Sequence, residues 1–197
     1  MISIICTTNR TDSNSLKLSQ VYEQKLAEMG EACQILDLRT VPAQWIQDSS
    51  YGENIPEFEE TVKKYIRSIP KLIFVTPEYN GSFPGYIKFF MDACDYGDFA
   101  HKKVALVGLA SGRSGNVRGL DHLTGIFHYL DTDVYRKKIY LSEVHLLMPK
   151  GGTLTDETCL KEIENQLKGF IEFWLAAYLE FIGRHTGVML NSFPHLF

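Results

Sequence analysis

Three stretches of this chain are apolar almost without a break: Ile2 to Thr7, Lys71 to Thr76 with Leu72-Ile73-Phe74-Val75 at its centre, and Lys103 to Leu109. They are too continuously apolar for a sheet with one face in water. Strands of this kind are buried on both faces, as in parallel sheets covered by helices. The intervening segments change period. Leu18, Tyr22, Leu26 and Met29 recur near helical spacing, and Gly30 follows as a stop. Ile87, Phe90, Met91 and Cys94 fall at i, i+3, i+4 and i+7, one face of a helix. Strands alternating with helices imply βαβ units.

The remaining elements are read the same way. Ala32 to Leu38 reads as a strand, 40–56 as a polar loop holding Trp45 and Tyr51, and 57–68 as a helix. In that helix Glu57, Glu59 and Glu60 precede Lys63, Lys64 and Arg67, the order a helix dipole favours. A helix is expected over 116–130 and strand material over 134–147, ending in Val144-His145-Leu146-Leu147. A last helix is expected from about 156 to 183, starting at Thr155-Asp156-Glu157, before an aromatic-tipped tail over 184–197. The 197 residues then make one three-layer α/β domain with a five-stranded parallel sheet. By fold-level analogy its strand order is 2-1-3-4-5, with the switch point between strands one and three. Segment 118–143 is the least defined part of this reading.

Several function classes drop out. A net charge of −4 and a pI of about 5.9 argue against nucleic acid as the main partner, and Arg136-Lys137-Lys138 is too short for a polybasic footprint. No apolar run is long enough to span a bilayer. The start, Met1-Ile2-Ser3-Ile4-Ile5-Cys6-Thr7, has neither a basic region nor a small-residue cleavage site, so a cytoplasmic address is expected. Cys6, Cys33, Cys94 and Cys159 are far apart, form no C-x-x-C and are expected to pack as small hydrophobes. The six histidines show no ligand spacing, so no metal is expected, and no G-x-S-x-G nucleophile elbow is present.

In an open α/β sheet, ligands sit beyond the carboxyl ends of the strands near the switch point. Three unusual loops leave such ends. Thr8-Asn9-Arg10-Thr11-Asp12-Ser13-Asn14-Ser15 is rich in hydroxyls, carries an arginine and opens a helix, whose free N–H groups suit an anion. Thr8, Ser13 and Ser15 are candidate donors, and Arg10 adds a charge-assisted one. A plain Ser/Asn helix cap with a solvated arginine is the alternative. No G-x-G-x-x-G or Walker pattern is present, so a single phosphate fits better than a diphosphate or triphosphate. The second loop is Thr76-Pro77-Glu78-Tyr79-Asn80-Gly81-Ser82-Phe83-Pro84-Gly85. Asn-Gly is a strong hairpin signal, yet residues 86–95 carry helical period, so this is a strand-to-helix loop. Pro84 suits a first helical turn. Gly81 permits close approach to a flat partner, and Asn80 and Ser82 offer polar edge contacts. Glu78 is expected to brace backbone. The third loop, Ala110-Ser111-Gly112-Arg113-Ser114-Gly115-Asn116, joins small residues to an arginine.

At these residues the sequence resembles the NADPH-dependent FMN reductase family of flavodoxin-like proteins, with its azo- and quinone-reducing members. The signature P-E-Y-N-x-S-x-P-x-x-L-K-x-x-x-D appears as Pro77 to Asp92, with Ile87 at the leucine position. The family's G-S-x-R-x-x-S loop appears as Thr7-Thr8-Asn9-Arg10-Thr11-Asp12-Ser13, and its S-x-G-x-x-G region as Ser111-Gly112-Arg113-Ser114-Gly115. The resemblance covers roughly residues 1 to 117. Thr7-Thr8 replaces the Gly-Ser pair, keeping a hydroxyl at Thr8, and Phe89 stands where asparagine is common.

The resemblance implies a flavodoxin-like sandwich that binds FMN. The phosphate would sit on Thr8, Arg10, Ser13, Asn14 and Ser15. The isoalloxazine would lie along Pro77, Glu78, Tyr79, Asn80, Gly81 and Ser82, with Ser111, Gly112, Gly115 and Asn116 closing the other side. It implies a two-half cycle in which NADPH or NADH passes hydride to flavin N5 and a flavin, quinone or other small oxidised acceptor takes the electrons. The cofactor carries that chemistry, so no side chain is assigned as catalytic acid or base. A homodimer or homotetramer is implied, with Trp45, Tyr51 and the aromatic tail as contact candidates. Two competing readings are an FMN-holding electron carrier and a flavodoxin-fold interaction protein without flavin.

Overall fold

The structure is a computed structural model and describes residues 1–149 and 152–173. The expected tail over 184–197 and the far part of the last helix, with Trp174 and Tyr178, lie outside the described residues. The chain runs through β1 (Ile2–Cys6), α1 (Asn14–Glu28), β2 (Cys33–Asp37), α2 (Ala43–Ser50), α3 (Pro56–Val62) and β3 (Lys71–Pro77). It continues with α4 (Gly85–Asp92), α5 (Tyr96–Phe99), β4 (Lys103–Leu109), α6 (Val117–Tyr129), β5 (Asp133–Val134), β6 (Ile139–Leu141), α7 (Val144–Leu147) and α8 (Glu157–Glu172). The sheet order is β2-β1-β3-β4-β5, with β6 also on β4, and every pairing is parallel. This is the expected order with one strand broken in two.

Alternation along each strand divides the core between two faces. Ile5, Phe74 and Leu106 are register neighbours and pack with Phe58, Val62, Ile87, Phe90, Leu123 and Phe127 from α3, α4 and α6. Ile4, Ile73 and Ala105 face the other way, onto Leu18, Tyr22 and Leu26 of α1 and Ile163, Leu167 and Phe170 of α8. Both sheet faces are therefore covered, as the unbroken apolar strands require.

Several expectations need correction. Residues 43–50 form a helix inside the expected polar loop. Its sequence is polar apart from Trp45 and the buried anchor Ile46, so it shows little periodicity. The helix expected over 57–68 is α3 followed by a π-helical turn, Lys63–Arg67. Val144–Leu147 is a helical turn and not a strand end. It follows Glu143, whose φ of 47° breaks the extended run after β6.

The broken edge strand has a consequence for hydrogen bonding. β5 pairs with Lys103 and Val104, whereas β6 pairs with Val107 to Leu109. The carbonyl of Leu106 lies in the gap. It accepts a bond from Gln166 Nε2 at 3.1 Å, and the same nitrogen donates to the Lys137 carbonyl at 2.8 Å. Gln166 Oε1 accepts from the hydroxyl of Tyr22 at 2.8 Å. Gln166 and Tyr22 are fully buried, and burial pushes the Tyr22 phenol well above its ordinary pKa. One amide from α8 thus replaces the missing ladder bond and ties α1 to the sheet edge. Gln166→Leu leaves the buried Tyr22 hydroxyl and Leu106 carbonyl unpaired, with the half-buried Lys137 carbonyl, so urea unfolding should show a loss of about 3 kcal/mol. Adding Tyr22→Phe should recover part of it.

Candidate functional site

The parallel register brings the three loops together. Cys6 is level with Val75, Val75 with Val107, and Pro77 with Leu109. The loops after β1, β3 and β4 consequently leave the sheet side by side. They enclose a cleft of about 510 Å³ lined by Thr8, Arg10, Thr11, Asp12, Ser13, Asn14, Ser15, Pro77, Glu78, Tyr79, Asn80, Leu109, Ala110, Ser111 and Val144.

One end of the cleft suits an anion. Ser13 caps α1, its hydroxyl accepting from the Leu16 N–H at 3.2 Å. The next two N–H groups, of Asn14 and Ser15, have no acceptor among the described residues. Such groups carry the positive end of the helix dipole. The buried Thr8 hydroxyl lies 2.6 Å from the Tyr79 hydroxyl and accepts the Arg10 N–H at 3.3 Å. The Arg10 guanidinium lies over the Tyr79 ring, 5.0 Å from its centroid. Asp12 is paired with Lys17 at 2.9 Å, which holds its carboxyl below the usual range.

The other end is built from backbone. Tyr79 and Ser82 exchange N–H···O bonds of 2.8 and 3.1 Å around Asn80 (φ 51°) and Gly81 (φ 78°). This is a two-residue turn of the kind Asn-Gly favours, set inside a strand-to-helix loop. The hairpin signal is therefore real but stops after one bridge. Pro84 is the N-cap of α4 and not its first helical residue. Glu78 accepts a bond from the Ser114 hydroxyl, joining the second loop to the third, and its N–H donates to the Leu109 carbonyl at 2.8 Å. Its carboxylate thus braces a side chain where backbone was expected.

Five expected residues lie outside the cleft lining. Gly81 forms the turn tip, near Arg118, and Ser82 faces away to His122 Nδ1 at 2.8 Å. Gly112 accepts the Glu143 N–H through its carbonyl at 2.9 Å. Gly115 packs on Tyr140, and the buried Asn116 donates Nδ2 to the Thr76 carbonyl at 2.9 Å. These residues shape the site from behind.

The profile of the family described as NADPH-dependent FMN reductase matches residues 1–145. The chain belongs to that family. An NAD(P)H-dependent FMN reductase of Pseudomonas aeruginosa is 27% identical over 157 residues, covering 76% of this chain and 82% of that one. A quinone reductase of Escherichia coli is 30% identical over 131 residues, covering 64% of this chain and 70% of the relative. Among solved structures, the NAD(P)H:(acceptor) oxidoreductase FerB from Paracoccus denitrificans superimposes with a TM-score of 0.72 at 24% identity, covering 87% and 94% of the two chains. Oxidised flavodoxin 2 from Bacillus cereus does so with 0.58 at 14% identity, covering 87% and 97%. The last two likenesses establish a flavodoxin-like fold.

In this FMN reductase family member the residues missed by sequence reading are Thr11, Asp12, Leu109, Ala110 and Val144. Thr11 and Asp12 lie within the first loop and were accessible to it. Val144 was not, because it reaches the cleft through tertiary bonds. Ala110 donates to Leu141 at 2.9 Å, and Val144 donates back to Ala110 at 3.0 Å.

The path of the third loop depends on absent side chains. A Cβ on Gly108 would collide with the Gly115 carbonyl, and one on Gly119 with Asn116 Oδ1. Gly119→Ala should therefore cost about 2 kcal/mol in urea unfolding, since overpacking of this kind forces neighbours to move. The thiol of Cys6, beneath the first loop, offers a second test. Burial, reinforced by the charge of Asp37, pushes its pKa from 9.0 to about 11. The folded state holds that proton more tightly than the unfolded one. The resulting stability is present below pH 9.0 and is lost as pH rises through about 11. Urea midpoints across that range should fall for the wild-type chain and less steeply for Cys6→Ala.

Proposed function

We propose that this chain is an FMN-dependent NAD(P)H oxidoreductase that reduces a flavin, quinone or other small oxidised acceptor. The observation that carries the proposal is the anion cradle at one end of the cleft. The free N–H groups of Asn14 and Ser15, the Thr8 hydroxyl and Arg10 converge there beside a backbone turn that offers polar edges to a flat ring. The residues fit FMN in number and kind: donors for one phosphate, and no second cradle in the cleft for a diphosphate. A volume of about 510 Å³ lies within the usual span for cofactor sites.

FMN held there would supply the redox chemistry, hydride acceptance at N5 and electron delivery to the acceptor. The chain supplies position. Thr8, Arg10, Ser13, Asn14 and Ser15 would hold the phosphate, and Pro77 to Asn80 would line the ring. The turn leaves the Asn80 N–H free among the described residues, and Gly81 and Ser82 shape that turn from behind. Ser111, with Gly112, Gly115 and Asn116 behind it, closes the opposite wall. The dipole of α1 and the arginine favour the charged ligand. No side chain needs to act as nucleophile or proton donor for the reductive half.

Two features support the wider reading. The four cysteines are free, which suits a reducing, cytoplasmic setting. No helix among the described residues is long and apolar enough to cross a membrane. Of the expected subunit-contact candidates Tyr51 is exposed and Trp45 is packed against the core, so a homodimer or homotetramer is left to sedimentation at micromolar concentration to test.

The deciding experiment is an anaerobic absorbance titration of the FMN-reconstituted protein with NADPH and then NADH. Rapid bleaching of the flavin bands is expected. Bound flavin that stays oxidised would favour an electron carrier, and failure to bind flavin would refute the reading. Arg10→Gln should weaken FMN binding about tenfold by removing a charge-assisted contact, measured by quenching of flavin fluorescence.

A further inference from the structure

Tyr79 belongs to the ring-holding loop, yet its side chain lies in the anion cradle. The structure gives it two contacts there. Its hydroxyl is 2.6 Å from the Thr8 hydroxyl, and its ring carries the Arg10 guanidinium at 5.0 Å. From these contacts, and resting on the FMN reading above, we propose that Tyr79 is the residue by which this chain selects a phosphorylated flavin over an unphosphorylated one.

Thr8 Oγ has two lone pairs and one hydrogen. One lone pair accepts the Arg10 N–H at 3.3 Å. When the Tyr79 hydroxyl donates, the second is used as well. The single Thr8 hydrogen must then point elsewhere. Thr8 is 1% exposed and lines the cleft beside the free N–H groups of Asn14 and Ser15, so the remaining direction is toward an anion. Tyr79 thereby turns Thr8 into an aimed donor. A phenylalanine would leave the hydroxyl free to rotate and accept instead.

The second contact acts on charge. Arg10 has no carboxylate within 4.0 Å among the described residues. An ion pair would hold the guanidinium in place but offset its charge. An aromatic face holds it and leaves the charge available to a ligand. The backbone of Tyr79 is fixed by its two bonds to Ser82, so the cradle is oriented by the turn that would meet the ring. Riboflavin can use that turn but gains nothing from the cradle.

The test uses the full chain and two probes, FMN and riboflavin, titrated by flavin fluorescence. The wild-type chain should bind FMN more tightly than riboflavin. Tyr79→Phe keeps the ring under Arg10 and removes only the hydroxyl. It should weaken FMN about tenfold, as expected for loss of an oriented bond to a charged group, and leave riboflavin unchanged. Thr8→Val should do the same, Thr8→Ser should retain FMN affinity, and the double variant Thr8→Val with Tyr79→Phe should be no worse than either single one. Equal losses for both flavins would overturn the proposal, since the hydroxyl would then merely shape the loop. Unchanged FMN binding in Tyr79→Phe would overturn it while leaving the FMN reading intact. A wild-type chain that binds neither flavin would overturn both.

Discussion

The site depends on the register of a parallel ladder. β1, β3 and β4 lie level from Cys6 through Val75 to Val107, so their carboxyl ends emerge along one line. A parallel sheet leaves no short connection between neighbouring strands, and each must be followed by a crossover. The ends of β1, β3 and β4 therefore each become the start of a loop leading to a helix. Three of those loops, after adjacent strands, enclose the cleft. A one-residue slip of β3 would turn Phe74 and Val75 to the wrong layers. Both layers are filled with buried side chains, so the packing that stabilises the fold also fixes the loop origins.

This constraint explains what was legible in the residues. Ile2 to Cys6, Lys71 to Pro77 and Lys103 to Leu109 are read almost to the residue because burial on both faces demands unbroken apolar strands. The order of the sheet was expected by fold-level analogy, and the structure has that order. The first loop was legible for a chemical reason, since Ser13 caps α1 and leaves the next two N–H groups free. Two of the misreadings share a cause. α2 is held by Ile46 and by the Tyr86 hydroxyl bonded to the Val41 carbonyl at 2.5 Å, and β5 and β6 are completed by Gln166. In each case a side chain distant in sequence supplies what local pattern does not.

The third loop shows the same limit at closer range. Its glycines look like flexibility. In the structure Gly112 does stand in open space, but Gly115, like Gly108 and Gly119 in the elements flanking the loop, marks a position where neighbouring chain comes too near for a Cβ. Asn116, at φ 68°, turns the chain into α6 while fully buried, and one atom of its amide, Oδ1, has no partner among the described residues. Such a residue is strained as well as desolvated, and it persists where surrounding packing over-determines it. Here the determinant is the Thr76 carbonyl, beside the strand end that carries Pro77. Asn116 therefore governs the site as a support under the cleft, not as a lining residue.

Charge completes the account of what the cleft can hold. Its lining contains three charged side chains, Arg10, Asp12 and Glu78, in a chain whose net charge is −4. Left to themselves, two carboxylates and one guanidinium would make a poor anion site. Asp12, however, is paired with Lys17, which offsets its charge, while Glu78 keeps its charge but turns its carboxylate to the Ser114 hydroxyl of the third loop. Arg10 rests on an aromatic ring and keeps its charge. Opposite the arginine stand two free N–H groups at a helix N-terminus. The field at the helix end of the cleft is therefore set by where the unpaired charges stand and not by how many there are. That is why an acidic chain can present a locally positive cradle, and why a net charge of −4, which argues against nucleic acid as the main partner, does not argue against a smaller anionic ligand.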